Sequence, residues 1–569
     1  MMDLSGFSPL DTHFADFVVR IDRHPCDALW WGAALTSHAA GRGHTCIHLS
    51  DIPDIPLLPV TTSHRSVPPS DAARWREALA VCNTVGEPGA YTPLVLDAAG
   101  RLYLHRSWRC EQQVARVILS RTHRHPFDEI RLEAALDRYF PLSAGEVDLQ
   151  REAARSALTH LFSVVSGGPG TGKTATVARI LALLCDMAGD AHPEIVLAAP
   201  TGKAAARLHH SILHAAGRLA LSDDIRNSMP TEVRTIHRLL GVQSRTGGFR
   251  HNRDNRLSCD ILVVDEASMV DLQLMAGLLE ALRDDARIIL LGDRNQLASV
   301  EAGAVLADIC DSADEAVVPV TQLTKSYRFG STSGIASLSR LINNGESAAA
   351  VELLRSEQAP DIRWRPLPAG RAFDEAVAAA AREGYVTYAR AASPEAALAV
   401  LDSFRLLSPL RSGQYGTEHL NRLCESSLMP ERKNDLGSGC PLPVMVTGNN
   451  YELGLFNGDT GILINNDEGT QTVWFDSPEG GVRHFSALRL PPSEPAFALT
   501  VHKSQGSEFD RVLLILPDRL SDVLSRELLY TAVTRARSSI EIWGTEEVFR
   551  QTIERRTVRH SGLRDRLGA

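Results

Sequence analysis

The sequence predicts an α/β protein: two tandem units, each a parallel sheet covered by helices, with a mostly helical region before them and a small β insert in the second. Three observations carry this expectation. Apolar runs at 162–166, 195–199, 261–264 and 287–291 each end in a polar or glycine-containing turn and lead into a helix-like stretch. Continuous apolar strands alternating with helices are the pattern of a sheet buried on both faces. A second series follows at 405–407, 497–500, 512–516 and 540–543. Between 440 and 495 the character changes to short β-prone runs starting at Pro443, Gly461 and Thr472, separated by Asn449-Asn450, Asn457-Gly458-Asp459 and Pro478-Glu479-Gly480-Gly481. Turns at this density predict a small antiparallel barrel.

A chain of 569 residues is too long for one core, so several domains are expected. A net charge of −10 argues against nonspecific coating of nucleic acid but leaves room for a local basic groove. The nine cysteines are scattered without a Cys-x-x-Cys pair, which suggests neither a disulfide framework nor a zinc site. The opening Met1-Met2-Asp3-Leu4 lacks the layout of a signal peptide, and no apolar run suits a membrane span. A cytoplasmic protein is the expectation.

The first 135 residues are rich in Ala and His, with Pro-rich connections near 52–70. His123 and His125 invite a metal reading, but no ligand cluster completes a site.

The chemistry starts at 167–174. Gly167, Gly168, Pro169, Gly170, Thr171, Gly172, Lys173 and Thr174 fit Gly-x-x-x-x-Gly-Lys-Ser/Thr, with a strand before and a helix after. Glycines let successive N–H groups turn onto phosphate oxygens. Lys173 then reaches the β/γ-phosphates, and the Thr174 hydroxyl coordinates Mg²⁺. The run 261–264 delivers Asp265 and Glu266, the first to hold Mg²⁺ and the second to orient an attacking water. The next strand ends in Gly292-Asp293-Arg294-Asn295-Gln296, which puts Gln296 near the γ-phosphate.

In this order the motifs resemble superfamily 1 DNA helicases of the 5′→3′ branch, and among them the RecD family, subunits of the RecBCD exonuclease V complex. The resemblance covers nearly the whole chain. It is carried by Gln150, by Ala198-Ala199-Pro200-Thr201-Gly202-Lys203 through Arg207, by 235–241, by 292–303, by 323–329, by 500–510 and by 527–537. It implies two RecA-like domains at 136–325 and 326–569, an SH3-like insert at about 436–496, and an N-terminal domain at 1–135 that docks on RecC. It implies that Gln150 reads adenine and that Arg328 and Arg535 act as arginine fingers, a role suited to a guanidinium on a moving domain. Pro200, Thr201, Lys203, Thr235 and His237 would follow single-stranded DNA, since lysine and hydroxyl groups bind phosphate without reading sequence. For His237 a buried, hydrogen-bonded histidine is an equally good reading. The basic loop at 242–258, with Arg245, Phe249, Arg250, Arg253 and Arg256, occupies the place of a duplex-splitting pin; a solvated loop is the plainer alternative.

The implied activity is ATP- and Mg²⁺-dependent 5′→3′ translocation on single-stranded DNA and unwinding from duplex ends. RecB and RecC are the implied partners, in double-strand break repair and DNA degradation. A stand-alone helicase and a nucleotide-gated regulatory subunit are the alternatives. A nuclease has only Glu431-Arg432-Lys433 to suggest it.

The stretch Thr500-Val-His-Lys-Ser-Gln-Gly-Ser-Glu-Phe-Asp510 mimics a Ser/His/acid hydrolase through His502, Ser504 and Glu508, but no nucleophile elbow precedes Ser504. In the family context Thr500, His502 and Ser504 face DNA, while Gly506 and Glu508 turn to the nucleotide.

Overall fold

The structure, a computed structural model, describes residues 6–54, 71–141, 148–230, 232–243, 247–312, 318–328, 330, 333–356, 358–428, 440–450, 452–465, 470–477 and 481–568. Arg245, Phe329, the 431–433 stretch and most of the Pro-rich connection lie outside these residues.

The N-terminal region holds the expected helices, including Pro9–Ile21, Asp27–Gly41, Ala72–Ala80 and His105–Leu119. It also holds four strands: β1 (Cys46–His48), β2 (Val85–Gly86), β3 (Leu94–Leu96) and β4 (Arg101–Leu104), in the order β1-β4-β3-β2. Strands of two to four residues are too short to show a period in the sequence. The Asp27–Gly41 helix is apolar nearly all round because it is the centre of this region, packed through Leu29, Trp30 and Leu35 against Trp75, Leu79, Leu94 and Leu102.

The first parallel sheet contains β5 (Phe162–Gly167), β6 (Ile195–Ala199), β7 (Val233–Thr235), β8 (Ile261–Val264), β9 (Arg287–Gly292) and β10 (Val320–Leu323), in the order β10-β5-β9-β8-β6-β7. Every pairing is parallel. Alternate residues enter two separate cores. Val164, Leu262, Val264, Ile288 and Leu290 go to one; Val165, Leu197, Val263, Ile289 and Leu291 go to the other. A strand apolar at every position is thereby satisfied on both faces.

The second unit begins with β11 (Ile362–Pro366) and β12 (Phe404–Ser408). The insert follows as β13 (Leu442–Val446), β14 (Thr460–Asn465), β15 (Gln471–Asp476), β16 (Val482–Ser486) and β17 (Ser493–Pro495). The chain then returns through β18 (Ala498–Thr500), β19 (Phe509–Ile515) and β20 (Ala536–Gly544). The second sheet, β11-β20-β19-β12-β18, is wholly parallel. The insert is an antiparallel sheet ordered β16-β15-β14-β13-β17. A barrel is expected there; in the described pairings β16 and β17 lie at opposite edges of an open sheet.

Residues 556–568 run back from the second unit across the other two. Arg559 donates to the carbonyls of Ser299, Glu301 and Gly303 at 2.6, 2.8 and 2.9 Å. Thr45 N donates to His560 O at 3.0 Å. The fully buried Glu111 accepts from Ser561, Gly562 and Arg566. Leu563 and Leu567 enter the core of the first unit.

Candidate active site and nucleic-acid interface

Phosphates and nucleotides bind parallel sheets at the carboxyl ends of the strands. Here β5, β8, β9 and β10 open onto a cavity of about 310 Å³ whose lining includes Lys173, Thr174, Asp265, Glu266, Gln296 and Arg328. The second unit contributes Glu508, immediately before β19, and Arg535, immediately before β20.

The glycine loop after β5 takes its shape from Gly170 and Gly172, whose φ values of 77° and 82° are open to glycine at no steric cost. Lys173 Nζ donates to the carbonyls of Gly167 and Gly168 at 2.5 and 3.1 Å. Thr171 Oγ1 donates to Gly168 O at 2.8 Å. Tyr327 N donates to Gly170 O at 2.7 Å, which seats the segment after β10 over the loop. Gln150, near the start of the Leu149–Thr159 helix, comes so close that a Cβ on Gly172 would sit 2.9 Å from its amide nitrogen.

Glu266 has φ 51°, a strained left-handed conformation for a residue with a side chain. Burial, and then the charge of Glu266, push the Asp265 carboxyl up to about 6. Neighbouring carboxylates of this kind are a donor set suited to a hard divalent cation, with the Thr174 hydroxyl on the same cavity.

At the end of β9 the buried Asp293 accepts from Tyr530 Oη at 2.8 Å and from Gln296 Nε2 at 3.2 Å. Leu297 N donates to Thr531 Oγ1 at 3.0 Å, and Gln505 Nε2 donates to Leu297 O at 2.8 Å. The loop carrying Gln296 is therefore stitched to the second unit.

Glu508 is the centre of an arginine cluster. Arg328 Nη2 donates to both its oxygens at 2.7 Å, Arg207 Nη2 donates at 2.5 Å, and Arg537 Nε lies 3.5 Å away. Burial alone would raise the Glu508 carboxyl. Arg207 and Arg328 more than reverse this and hold it down at about 2. Arg535 sits in the turn after the Arg526–Val533 helix. Its buried guanidinium donates to Thr531 O at 3.1 Å and Ser507 O at 3.0 Å. Burial lowers its pKa, against the opposing charges of Glu266 and Glu508.

A second cavity, of about 590 Å³, lies between the first unit, the Pro394–Leu401 helix and the insert. Its lining includes Lys203, Thr235 and Arg238 from the first unit, Asp402 from the second, and Phe456 and Arg483 from the insert. Thr201 follows β6 and Pro200, and its Oγ1 caps the Gly202–Arg218 helix by accepting from Ala204 N at 3.2 Å. Lys203 Nζ lies 3.9 Å from Asp402. Thr235 Oγ1 caps the Ile236–Leu240 helix, and His237 on that helix is exposed, so the buried-histidine reading does not hold. Thr500 ends β18, and His502 is half-buried. Ser504 departs from expectation: it is fully buried and its hydroxyl donates to Val501 O at 2.7 Å, so it faces neither cavity. Gly506 (φ 71°) lies beside Thr201 and Ala204, where a Cβ would be 3.8 Å from Thr201 Oγ1 and 3.7 Å from Ala204 Cβ.

Within 242–258, Val242 and Phe249 form an antiparallel bridge, with Gln243 N donating to Gly248 O at 2.9 Å. Arg256 pairs with Asp284 at 2.9 Å.

Arg207, Asp293, Tyr530, Asp402 and Phe456 are not singled out by the sequence. For Arg207 a signal was present: Lys203 and Arg207 stand four apart on an Ala-rich helix, on one face.

A phosphate loop, a carboxylate pair after the buried strand β8, and a cavity completed by Glu508 and Arg535 from a second parallel sheet define a two-sheet P-loop ATPase of the superfamily 1 helicase kind. Family models match as "AAA domain" at 150–302, "UvrD-like helicase C-terminal domain" at 495–540 and "RecBCD enzyme subunit RecD, N-terminal domain" at 3–103. The RecBCD enzyme subunit RecD of Mycolicibacterium smegmatis is 38% identical, across 98% of this chain and 97% of its own. That of Haemophilus influenzae is 35% identical, across 82% and 80%. The ATP-dependent RecD2 DNA helicase of Deinococcus radiodurans is 32% identical over 83% of this chain but 59% of its own length. The chain belongs to the RecD family.

Proposed function

We propose that this protein is an ATP-dependent 5′→3′ single-stranded DNA translocase and helicase that works as the RecD subunit beside RecB and RecC on duplex ends. The observation that carries this is the course of 500–510. Gly506 lies against Thr201 at the start of the helix that brings Lys203 to the larger cavity, and two residues on, Glu508 holds Arg207 and Arg328 in the phosphate-loop cavity. One short segment thus touches both sites, as coupling of hydrolysis to movement on DNA requires.

In this reading the glycine loop and Lys173 hold the phosphates, Gln150 meets the base, and Glu266 orients the attacking water. Gln296 senses the terminal phosphate, and Arg328 and Arg535 stabilise the charge that develops on it. Thr174 and Asp265 would hold Mg²⁺, whose charge neutralises the phosphate oxygens. Pro200, Thr201, Lys203, Thr235, His237, Thr500 and His502 line the DNA path, and Ser504 supports it from beneath. Residues 1–135 dock on RecC, 136–325 and 326–569 are the two motor domains, the insert at 436–496 is an SH3-like cover over the strand, and 242–258 forms the pin. The family membership and the N-terminal match at 3–103 support this assignment.

The test is ATP hydrolysis by the purified chain with and without single-stranded DNA, and pull-down of RecB and RecC with and without residues 1–135. A hydrolysis rate indifferent to DNA would overturn the motor; RecB and RecC retained by the truncated chain would overturn the docking assignment.

A further inference from the structure

Glu508 belongs to the coupling segment, yet its carboxylate is spent on two guanidiniums that line the nucleotide cavity from different directions. Arg328 follows β10 and lies against the glycine loop, where a side chain on Gly170 would run into its Cβ. Arg207 comes from the Gly202–Arg218 helix, whose N-terminus carries Thr201 and Lys203. Both bond the same carboxylate, at 2.5 to 2.7 Å, and that carboxylate is only 7% exposed. A guanidinium has a limited fork of donors, so a carboxylate and a phosphoryl group at one site compete for it.

We infer that Glu508 is an internal counterpart of the nucleotide's terminal phosphate, holding Arg207 and Arg328 until a phosphoryl group in the cavity replaces it as their partner. This deepens the nucleotide-site reading above and rests on it. It gives Arg207 a role in contacting the terminal phosphate. It also gives the exchange a route to the DNA side, because release of Arg207 removes one of the ties between the second unit and the helix bearing Thr201 and Lys203, leaving the longer Lys203–Asp402 pair at 3.9 Å. While it holds Arg207 and Arg328, the Glu508 carboxyl is kept down at about 2 by their charge, so it meets an incoming phosphoryl group as an ionised rival for these donors.

The experiment measures equilibrium binding of ADP and of a non-hydrolysable ATP analogue to the full chain, for the native protein, Glu508→Gln, Arg207→Ala and the double variant. Glu508→Gln keeps shape and removes the charge. It is expected to raise the preference for the analogue over ADP about fivefold, the low end of the coupling between linked binding groups. Arg207→Ala is expected to lower that preference, and in the double variant the gain from Glu508→Gln shrinks. A Glu508 that simply held the sugar would weaken both ligands alike, leaving the ratio unchanged, and that result overturns the inference. Should Glu508→Gln not fold, Arg207→Ala decides alone: an unaltered ratio refutes the contact. A native chain that binds neither ligand overturns the nucleotide site itself, a separable failure.

Discussion

Lys173 and Arg535 face the same cavity but are held in very different ways, and their substitutions should differ accordingly. Among the described residues, Lys173 donates to two loop carbonyls. Lys173→Ala is therefore expected to lower DNA-stimulated ATP hydrolysis by about 100-fold or more while the thermal melt stays put. Arg535 is fully buried and serves Thr531 O and Ser507 O. Arg535→Ala takes the guanidinium from Ser507 O, leaves Thr531 O with the Thr534 hydroxyl, and opens a cavity, at a cost of roughly 2–4 kcal/mol, so loss of activity would be mixed with loss of fold. Arg535→Lys is the cleaner probe. Glu508 carries a pH signature. Its carboxyl is held near 2, below the ordinary glutamate value, so its stabilising contribution is present above about pH 4.5 and is lost as pH falls toward 2. Chemical denaturation at pH 5 and pH 3 should show Glu508→Gln losing less stability on acidification than the native chain. At this scale the sequence disclosed the residues of the phosphate loop and the carboxylate pair, because their chemistry needs a fixed local spacing. It did not disclose which arginine meets which carboxylate, since Arg207 and Glu508 are 301 positions apart.

Among elements of the two parallel sheets, the interior strands were legible and three of the four edge strands were not. β7, β10 and β11 each lie at the edge of a sheet, and their sequences, Val-Arg-Thr, Val-Thr-Gln-Leu and Ile-Arg-Trp-Arg-Pro, mix polar with apolar residues. A strand paired on one side needs less apolar surface, so it leaves a weaker pattern. The 556–568 segment left none, because its hold on the rest is made by backbone carbonyls and by single buried groups. Arg559 ties it to the Ser299–Gly303 carbonyls, three residues beyond Gln296 at the near end. Arg559→Ala should speed amide exchange at 297–303 and lower the hydrolysis rate several-fold without weakening ADP binding. Nearby, His44 stacks on His560 at 5.0 Å. Burial first, then the charges of His560, Arg559 and Arg42, hold its imidazole down at about 3. The folded state thus keeps His44 neutral, and protons taken up by the released form favour release as pH falls below about 6.5. Exchange at 43–48 and 556–568, corrected for intrinsic rate, should be faster at pH 5.5 than at pH 7.5, and His44→Gln should flatten that difference.

At the scale of the whole molecule, the units of the two parallel sheets meet along a seam, and both cavities are lined from the two units. Asp293 with Tyr530, Leu297 with Thr531 and with Gln505, and Glu508 with Arg207 all cross the seam. Glu508 thereby ties the phosphate-loop cavity to the segment whose Gly506 lies against Thr201. This arrangement, more than any one residue, is what a motor needs and what an isolated ATP switch does not. Lys203 adds a test of direction within the seam: it pairs with Asp402 of the second unit at 3.9 Å. Lys203→Ala should weaken binding of single-stranded DNA and reduce its dependence on salt, leaving DNA-free hydrolysis unchanged. The most direct measurement is the steady-state rate of ATP hydrolysis by the purified chain as single-stranded oligonucleotide is added. The account predicts a rise of about tenfold or more, absent in Lys173→Ala and blunted in Lys203→Ala. A native rate that is the same with and without DNA would contradict it.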